Sequence, residues 1–294
     1  MDAAAGRVVV VGSVNVDHVV ETDVFPAPGE TVAGRSVRTS IGGKGGNQAV
    51  AAARLGGPVA MVARIGDDDG GARARAALVA AGVDVSGVVP VEGTPTGTAW
   101  ITVTPDDNTI VVVAGANAAW PDGWAADGVA PDDVVLSQLE VPLAVVVAAA
   151  ATPARFVLNA APAAALPEAV IARCAVLVVN EHEQLVVAGT SGVADAHAVL
   201  RSRGAGAVVT TLGAQGAVVT DDHGTRAYAA PPSDVVDTTG AGDAFAGVLC
   251  ARLAAGAELA DAVRWAVAAG SLAVRRRGTH DSYPDAVAIE TLLR

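Results

Sequence analysis

Asp237-Thr238-Thr239-Gly240-Ala241-Gly242-Asp243 is a turn of small residues that leads into an apolar, helix-like segment at 244–249. The first N–H groups of a helix have no acceptor inside it, so a turn of this kind can bind an anion. Asp243 falls in that first turn, and Asp237 precedes it in the same stretch. An anion pocket beside a carboxylate is typical of phosphoryl transfer. The alternative is that Asp243 only caps its own helix.

Composition limits what kind of protein this is. With 294 residues, of which 52% are hydrophobic, the chain can form one large α/β domain or two smaller ones. A net charge of −12 argues against a nucleic-acid partner, whose phosphates need a basic surface. Cys174 and Cys250 stand in apolar surroundings, which predicts buried free thiols in a reducing cytoplasm. Residues 1–7 lack the features of a signal peptide, and no apolar stretch predicts a membrane span.

A second glycine-rich stretch carries the only lysine among the 19 basic residues. Lys44 stands within Gly42-Gly43-Lys44-Gly45-Gly46-Asn47, just before an alanine-rich segment at 48–56 that predicts a helix. All the other basic residues are arginine, so a lone lysine indicates a need for a compact positive charge. The stretch is not a Walker A loop, because Arg38 and Gly45 stand where that motif requires Gly and Ser or Thr.

Two kinds of strand pattern run along the chain. Residues 13–40 and 96–113 contain strands without helices between them, which predicts a small separate sheet. From residue 133 onward strands and helices alternate, which predicts a mostly parallel central sheet with helices on both faces. The predicted strands of the main sheet are Val8–Val11, 59–65, Val134–Ser137, 156–159, 176–179 and 207–211, with a hairpin at 218–220 and 225–229.

Polar residues follow several of these strands. In open α/β sheets ligands bind beyond the carboxyl ends of the strands, so we expect these side chains to line one edge. The apolar pair at 235–236 is interpreted in the same way, as a strand ending at Asp237. Each residue also has a plainer interpretation as a helix cap or turn former. The expected edge residues are Glu140, Asn180, Glu183, Thr211, Gly213 and Asp243.

Asn15 and Asp17 alternate with valines, which predicts that both lie on one face of a strand. Two polar groups side by side could bind a polyol. The alternative is a solvent-facing sheet edge.

Together these segments resemble the PfkB-type, ribokinase-like carbohydrate kinase family, and most closely its ribose-phosphorylating members. The two glycine-rich stretches at 42–47 and 237–243 are the most specific. The remaining matching segments are 12–17, 25–31, 114–117, 138–140, 180–183 and 211–213. They occur in the family's order over nearly the whole chain, which implies one kinase domain over 1–294 with the small sheet as its lid.

The resemblance implies that the γ-phosphate of ATP moves to the primary hydroxyl of D-ribose. Asp243 would be the general base, and the N–H groups of Gly240, Ala241, Gly242 and Asp243 would form the anion hole. A related kinase of 2-deoxyribose, another sugar or a nucleoside stays open as an alternative. An NAD-binding oxidoreductase is disfavoured because Phe245 stands where that fingerprint needs glycine. A non-catalytic sugar sensor is disfavoured by the presence of both Asp243 and Lys44.

The family's binding residues carry over onto matching positions. Those implied for the sugar are Asn15, Asp17, Gly43, Lys44, Asn47, Glu140 and Asp243. Those implied for ATP are Asn180, Glu183, Thr211, Gly213, Gly216 and Gly242, with Glu183 serving Mg²⁺ mostly through water. Those implied for an activating K⁺ are Asp237, Thr239, Arg276, Gly278 and Ser282. The lid also implies a homodimer.

Overall fold

A computed structural model describes residues 6–105 and 107–294 of the chain. Residues 1–5, part of the segment inspected for a signal peptide, and Asp106, in the predicted turn of a hairpin, lie outside the described residues. The described strands are β1 (Val8–Val11), β2 (Asn15–Thr22), β3 (Gly34–Gly42), β4 (Val59–Gly66), β5 (Asp84–Val91), β6 (Gly97–Val103), β7 (Asn108–Val113), β8 (Val134–Ser137), β9 (Arg155–Asn159), β10 (Val176–Asn180), β11 (Val208–Thr211), β12 (Ala217–Asp221) and β13 (Gly224–Tyr228). The described helices are α1 (Lys44–Ala53), α2 (Asp69–Ala80), α3 (Leu143–Ala150), α4 (Glu168–Ile171), α5 (Glu181–Ala188), α6 (Val193–Ser202), α7 (Ala241–Ala254), α8 (Leu259–Ala273) and α9 (Ala286–Leu293).

The large sheet has the order β13-β12-β11-β10-β9-β8-β1-β4-β5. Its strands pair in parallel from β5 to β11, and the hairpin β12–β13 adds two antiparallel strands at one edge. The central strands are continuous runs of Val and Leu, as expected of strands buried on both faces. The predicted fold class, a mostly parallel sheet with helices on both faces, is confirmed.

Two apolar cores lie on opposite faces of this sheet. Helices α1, α2, α7, α8 and α9 bury their apolar residues on one face. Helices α3, α4, α5 and α6 cover the other, together with Trp120 and Trp124 from the irregular segment at 119–130. No helix among the described residues is long and apolar enough to cross a bilayer.

The small sheet predicted from the two helix-free regions is present, with the order β3-β2-β6-β7. Strand β2 lies inside it, antiparallel to β3 and parallel to β6. Asn15 and Asp17 therefore stand on an interior strand, and Asn15 is buried. The alternative that placed these residues on a solvent-facing edge is wrong.

One helix boundary differs from the sequence prediction, and two elements were not predicted. Helix α1 begins at Lys44, so residues 44–47 of the glycine-rich stretch form its first turn instead of a loop before it. Gly43 precedes it at φ 81°, a conformation that favours glycine. Strand β5 was not predicted because Gly87 and Pro90 interrupt its pattern, but a proline is tolerated at the sheet edge where β5 lies. Helix α9 was not predicted either.

The apolar pair at 235–236 is not a strand, which corrects the prediction made for it. Val235 and Val236 are 62% and 55% exposed. The N–H groups of Val236 and Asp237 donate to the carbonyl oxygen of Val274, just past α8. This segment therefore reaches the start of α7 alongside α8 and outside the sheet.

Candidate active site

Asp243 is the centre of the site. It lies in the first turn of α7, after Gly240 has turned the chain at φ 75°, and it is only 7% exposed. Asn47 donates its side-chain amide to Oδ2 at 2.9 Å, and Gln48 donates to Oδ1 at 2.9 Å. Both carboxylate oxygens accept hydrogen bonds from residues of α1. No side chain caps the start of α7, so Asp243 does not cap its own helix. Burial raises its pKa, opposed by the charge of Lys44 and by these two amides.

A buried chain of amides holds Gln48 in turn. Its Nε2 also donates to Oδ1 of Asn159 at 2.9 Å, and its Oε1 accepts from Nε2 of Gln138 at 2.6 Å. Gln48 and Gln138 are fully buried. Sequence reasoning missed this network. The available signal was the presence of amides inside otherwise apolar segments, where a buried polar group requires a partner.

Helices α1 and α7 can reach each other only because their contact is lined with small residues. A Cβ at Gly247, one turn beyond Asp243, would overlap the carbonyl oxygen of Gln48. A Cβ at Gly45 would lie 2.6 Å from the backbone nitrogen of Ser13. Gly247 therefore lets α7 approach α1 closely enough for α1 to hydrogen-bond the Asp243 carboxylate, and Gly45 lets the first turn of α1 pack against the backbone at Ser13.

Glu140 fixes the start of α1. Its Oε2 accepts from the Ser13 hydroxyl at 2.5 Å and from the backbone N–H of Lys44 at 2.9 Å. Burial opposes the charge of the Lys44 ammonium, but the carboxylates of Asp243, Glu140 and Glu183 outweigh burial and raise its pKa. Lys44 thus remains charged among three carboxylates.

The side chain of Asn15 is held by Asn117, a residue that sequence reasoning did not assign to the site. Asn117 donates its amide to Oδ1 of Asn15 at 2.7 Å, and its own Oδ1 accepts from the N–H of Val14 at 2.9 Å. The indole N–H of Trp120 donates to the Asn117 carbonyl at 2.9 Å. The segment 114–117 is one of the stretches that resemble the family. The sequence therefore marked Asn117 as a candidate residue but did not indicate its function.

Asp17 lies over Gly42, where any Cβ would overlap its carboxylate. Burial and the nearby charges of Glu140 and Asp243 raise its pKa to about 7, with Arg38 opposing. Its Oδ1 is buried, and so is Oδ1 of Asn47. Neither atom has a hydrogen-bond partner among the described residues. Two unsatisfied acceptors beside Asp243 suit a ligand that brings hydroxyl groups.

Asn180 and Glu183 form a capping box at the start of α5. Oδ1 of Asn180 accepts from the N–H groups of His182 and Glu183, and the Glu183 carboxylate accepts from the N–H of Asn180 at 2.8 Å. The plainer interpretation of this pair as a helix cap is therefore correct for these contacts. Burial raises the pKa of Glu183, opposed by the Asn180 N–H and by Lys44.

The neighbouring strand end carries the other residues predicted for ATP. Thr211 pairs in register with Asn180. Gly213 follows at φ 53°, with open space where a side chain would be. Gly216 packs against the backbone of Tyr228 so closely that no side chain would fit. Gly213 is thus open to a ligand, whereas the local structure already requires Gly216.

Asp237 ties the turn before α7 to the loop after α8. Its Oδ1 accepts from the N–H of Thr239 and its Oδ2 from the N–H of Gly278, both at 2.9 Å. These hydrogen bonds lower its pKa although burial acts in the opposite direction. The Ser282 hydroxyl, in the same loop, donates to the Thr279 carbonyl at 2.7 Å. Over the two described ranges, no group of three or more His, Cys, Asp or Glu is placed to hold a metal ion.

Within the turn, the N–H of Ala241 donates to the Thr238 carbonyl at 3.3 Å. The N–H groups of Gly242 and Asp243 have no backbone acceptor within the described part of the chain. Of the predicted anion-hole donors, Ala241 is therefore partly engaged, and the next two are free to bind an anion.

Tyr283 is a further residue at this turn that sequence reasoning missed. A Cβ at Gly240 would lie 2.6 Å from its hydroxyl oxygen. That oxygen is buried and has no hydrogen-bond partner among the described residues. Burial and the charges of Asp243 and Asp17 raise the tyrosine pKa well above its ordinary value, so the hydroxyl remains a donor.

Known proteins resemble this chain over nearly its whole length. The chain matches the pfkB family carbohydrate kinases over residues 5–286. It is 37% identical to a ribokinase of Bacillus subtilis over 296 residues, which cover 98% of this chain and 99% of that protein. It is 35% identical to a ribokinase of Haemophilus influenzae over 289 residues, which cover 94% of each.

Among solved structures, Arabidopsis thaliana ribokinase complexed with ribose and ATP has the same fold, with a TM-score of 0.91. The two sequences are 31% identical, and the match covers 99% of each chain. The family match spans nearly the whole chain, and the relatives are matched at similar length. This chain therefore belongs to the pfkB family of carbohydrate kinases.

Proposed function

We propose that this chain is an ATP-dependent kinase of D-ribose, which it converts to ribose 5-phosphate. The observation that carries the proposal is the buried Asp243 carboxylate, held by Asn47 and Gln48 beside two free N–H groups of the same helix turn. The names of the relatives support ribose as acceptor, since the proteins from B. subtilis and H. influenzae are ribokinases. The related Arabidopsis structure contains ribose and ATP.

In the proposed reaction Asp243 accepts the proton of the primary hydroxyl as the hydroxyl oxygen attacks the γ-phosphorus. A new O–P bond forms, the bond between the γ-phosphorus and the bridging oxygen breaks, and ADP leaves. A positioned base contributes about 10²–10⁴-fold to such a rate. The raised pKa of Asp243 makes it a better proton acceptor than an ordinary aspartate. The N–H groups of Gly242 and Asp243 would stabilise the charge on the transferring phosphoryl group, with Gly240 and Ala241 shaping the turn.

The sugar would lie between β2 and the first turn of α1. The buried, unpartnered oxygens of Asp17 and Asn47 are suited to accept hydrogen bonds from its hydroxyl groups. Lys44 supplies donors from its ammonium. Gly43 is required at this turn, because a Cβ there would lie 2.8 Å from the backbone nitrogen of Asn15. Glu140 would act on the sugar mainly by fixing α1, since its Oε2 already accepts two hydrogen bonds.

The ATP phosphates would extend from the turn toward β10 and β11. Asn180, Thr211 and Gly213 stand at that edge, and Glu183 is the carboxylate that would serve Mg²⁺ through water. Oxygen ligands and retained waters are what Mg²⁺ prefers, so the capping box does not conflict with this role. When bound, Mg²⁺ would neutralise phosphate charge.

We propose a K⁺ site beside the turn, formed by the carboxylate of Asp237, the hydroxyl groups of Thr239 and Ser282, and carbonyl oxygens of the loop that contains Arg276 and Gly278. Asp237 already holds the turn to the loop after α8. An ion there would hold the same two segments together. We expect ribose-dependent ATP consumption to be faster in K⁺ than in Na⁺, and Asp237→Ala to remove the difference. Equal rates in both salts would contradict the site.

We also propose that residues 1–294 form one kinase domain whose small sheet is a lid, and that two lids pair in a homodimer. Strand β7 lies at the lid edge, and every residue in it is exposed. An exposed apolar edge strand is prone to pair with another chain. We expect Val111→Lys to shift the mass measured by light scattering from dimer to monomer. An unchanged mass would contradict the lid interface.

The acidic surface and two buried free cysteines support a cytoplasmic location without a nucleic-acid partner. The acceptor itself is tested by an ATP-consumption panel in K⁺ and Mg²⁺, with ribose, 2-deoxyribose, fructose, fructose 1-phosphate, adenosine and uridine. We expect ribose to give the highest kcat/KM. If another sugar or a nucleoside gives a higher kcat/KM, that compound replaces ribose as the proposed acceptor, and the family assignment is unaffected.

A further inference from the structure

A cavity of about 350 Å³ lies on the sheet face opposite α1 and α7, between β1, β4 and the irregular segment 119–130. Its walls are of mixed polarity, and Val9, Val11, Val62 and Trp124 form their apolar part. Its volume falls in the lower range of small-molecule sites. None of the residues predicted for sugar, ATP or cation lines it.

Arg64 lines this cavity from β4 and is only 8% exposed. Its guanidinium stacks on the Trp120 ring, with the central carbon 4.5 Å from the ring centre. Of its three nitrogen atoms, which carry five N–H groups, Nη1 alone has a hydrogen-bond acceptor among the described residues, the Ala63 carbonyl at 3.2 Å. Within 6–105 and 107–294, no Asp or Glu lies within ion-pairing distance of Arg64, although Asp127 also lines the cavity.

Two other arginines show how unusual this arrangement is. Arg7 lines the same cavity, but its Nε pairs with Asp133 at 3.2 Å and its Nη2 donates to the Gly128 carbonyl at 2.6 Å. Arg252 stacks over Trp265 at 4.3 Å, much as Arg64 stacks over Trp120, but it pairs with Asp261 at 2.6 Å. A buried guanidinium without an anion carries a desolvation cost that a bound anion would offset.

We propose that this cavity binds a small organic anion, whose carboxylate or phosphate oxygens pair with Arg64 while its apolar body packs against Trp124 and the surrounding valines. Trp120 holds the guanidinium plane in place, and a fixed guanidinium can bind two oxygens of one anion side by side. The apolar part of the walls would select an anion that carries a hydrocarbon or aromatic body over a bare ion. This site goes beyond the proposed kinase reaction and does not depend on it.

Titration calorimetry and tryptophan fluorescence test the proposal on the full chain, because Trp120 and Trp124 lie at the site. The probes are benzoate, phenyl phosphate, the neutral benzamide and inorganic phosphate. We expect benzoate or phenyl phosphate to bind with one-to-one stoichiometry and to change the fluorescence. The difference in affinity between benzoate and phenyl phosphate shows whether the site prefers a carboxylate or a phosphate. Benzamide and inorganic phosphate should each bind at least about tenfold more weakly, since each lacks the charge or the apolar body.

Arg64→Met should weaken binding of the organic anion by about 10- to 100-fold, the contribution of hydrogen bonds to a charged group. Arg252→Met is the matched control, because it also removes an arginine stacked on a tryptophan, and it should leave the affinity unchanged. Failure of both organic anions to bind at millimolar concentration overturns the proposal. Equal binding of benzamide overturns it as well, and this comparison uses the unsubstituted protein, so it holds even if Arg64→Met does not fold.

Discussion

The side-chain amide of Asn47 donates to Oδ2 of Asp243 at 2.9 Å, and the next residue along α1 donates to Oδ1. Both carboxylate oxygens are thus oriented by the protein before any substrate binds. A base fixed in this way does not have to be reorganised during the reaction. This geometry leads to separate predictions for the base Asp243, for the residues that orient it, and for the sugar-binding residues and helix contact around it.

Asp243→Asn should lower kcat by about 10²–10⁴-fold, the contribution of a positioned general base, because an amide cannot accept the hydroxyl proton. Ribose binding, measured by calorimetry, should persist. Asp195→Asn is the control, since Asp195 also lies in the first turn of a helix but is exposed, and it should leave kcat unchanged. Retention of most of kcat in Asp243→Asn would remove Asp243 as the base.

Gln48→Leu should lower kcat by about 10- to 100-fold, because a catalytic group displaced even slightly loses its alignment. It should also raise the pKa of Asp243, since the Gln48 amide is one of the groups that lower it. The measurement is the pH dependence of kcat, whose acidic limb should move to higher pH. Gln184→Leu removes a glutamine that is equally buried but contacts Thr210 and the Ser191 carbonyl. Gln184→Leu should lower the stability of the protein without shifting the acidic limb of the kcat profile. An equal shift in both variants would contradict the proposal that Gln48 lowers the pKa of Asp243.

Asp17→Asn should raise the KM for ribose, because a neutral amide oxygen accepts a hydrogen bond from the sugar more weakly than the buried carboxylate Oδ1 does. The same change should stabilise the empty protein at alkaline pH. The folded pKa is about 7 against an ordinary 3.8, so the unfolded carboxyl ionises first as pH rises, and the folded state loses stability between these values.

The Tm difference between Asp17→Asn and the unsubstituted protein should therefore be small near pH 4 and grow up to about pH 7. Thermal unfolding across this range measures it. A constant difference, or one that shrinks with rising pH, would contradict the raised pKa.

Gly247→Ala should destabilise the protein by about 1–3 kcal/mol, as overpacking does, and lower kcat by separating α1 from α7. Gly270→Ala in α8 is the matched control. Its Cβ would stand 3.5 Å from the Ala241 carbonyl, an ordinary contact, and alanine favours a helix interior. Chemical denaturation of both variants measures the contrast, and equal stability would refute the close-approach argument.

The sequence predicted the parts of this protein whose cause is local. Runs of valine predicted the central strands, and the stretch ending at Asp243 predicted a helix start with a carboxylate in its first turn. The glycine-rich stretch at 42–47 predicted the start of a helix, although Gly45 and Gly46 lie inside α1 and only Gly42 and Gly43 precede it. Each of these features depends on residues that are neighbours in the chain.

What could not be predicted depends on partners far away in sequence. Nothing near Gln48 indicates that Asn159 and Asp243 would be the groups bonded to its amide. The pair at 235–236 is as apolar as a strand, but the large sheet ends at β13 and has no place for it. The sequence around Arg64 did not indicate a binding site. What distinguishes Arg64 is that no Asp or Glu among the described residues pairs with it, and this depends on residues far away in the sequence.

The hydrogen bond between Asn47 and Asp243 joins residues 196 positions apart. Closing so long a loop costs chain entropy that local contacts do not repay, and contacts of this range form late in folding. The glycine-rich start of α1 leaves the ribosome long before α7 exists. The proposed base therefore acquires its orientation only after nearly the whole chain has been synthesised, and no N-terminal fragment that ends before α7 can transfer phosphate by this mechanism.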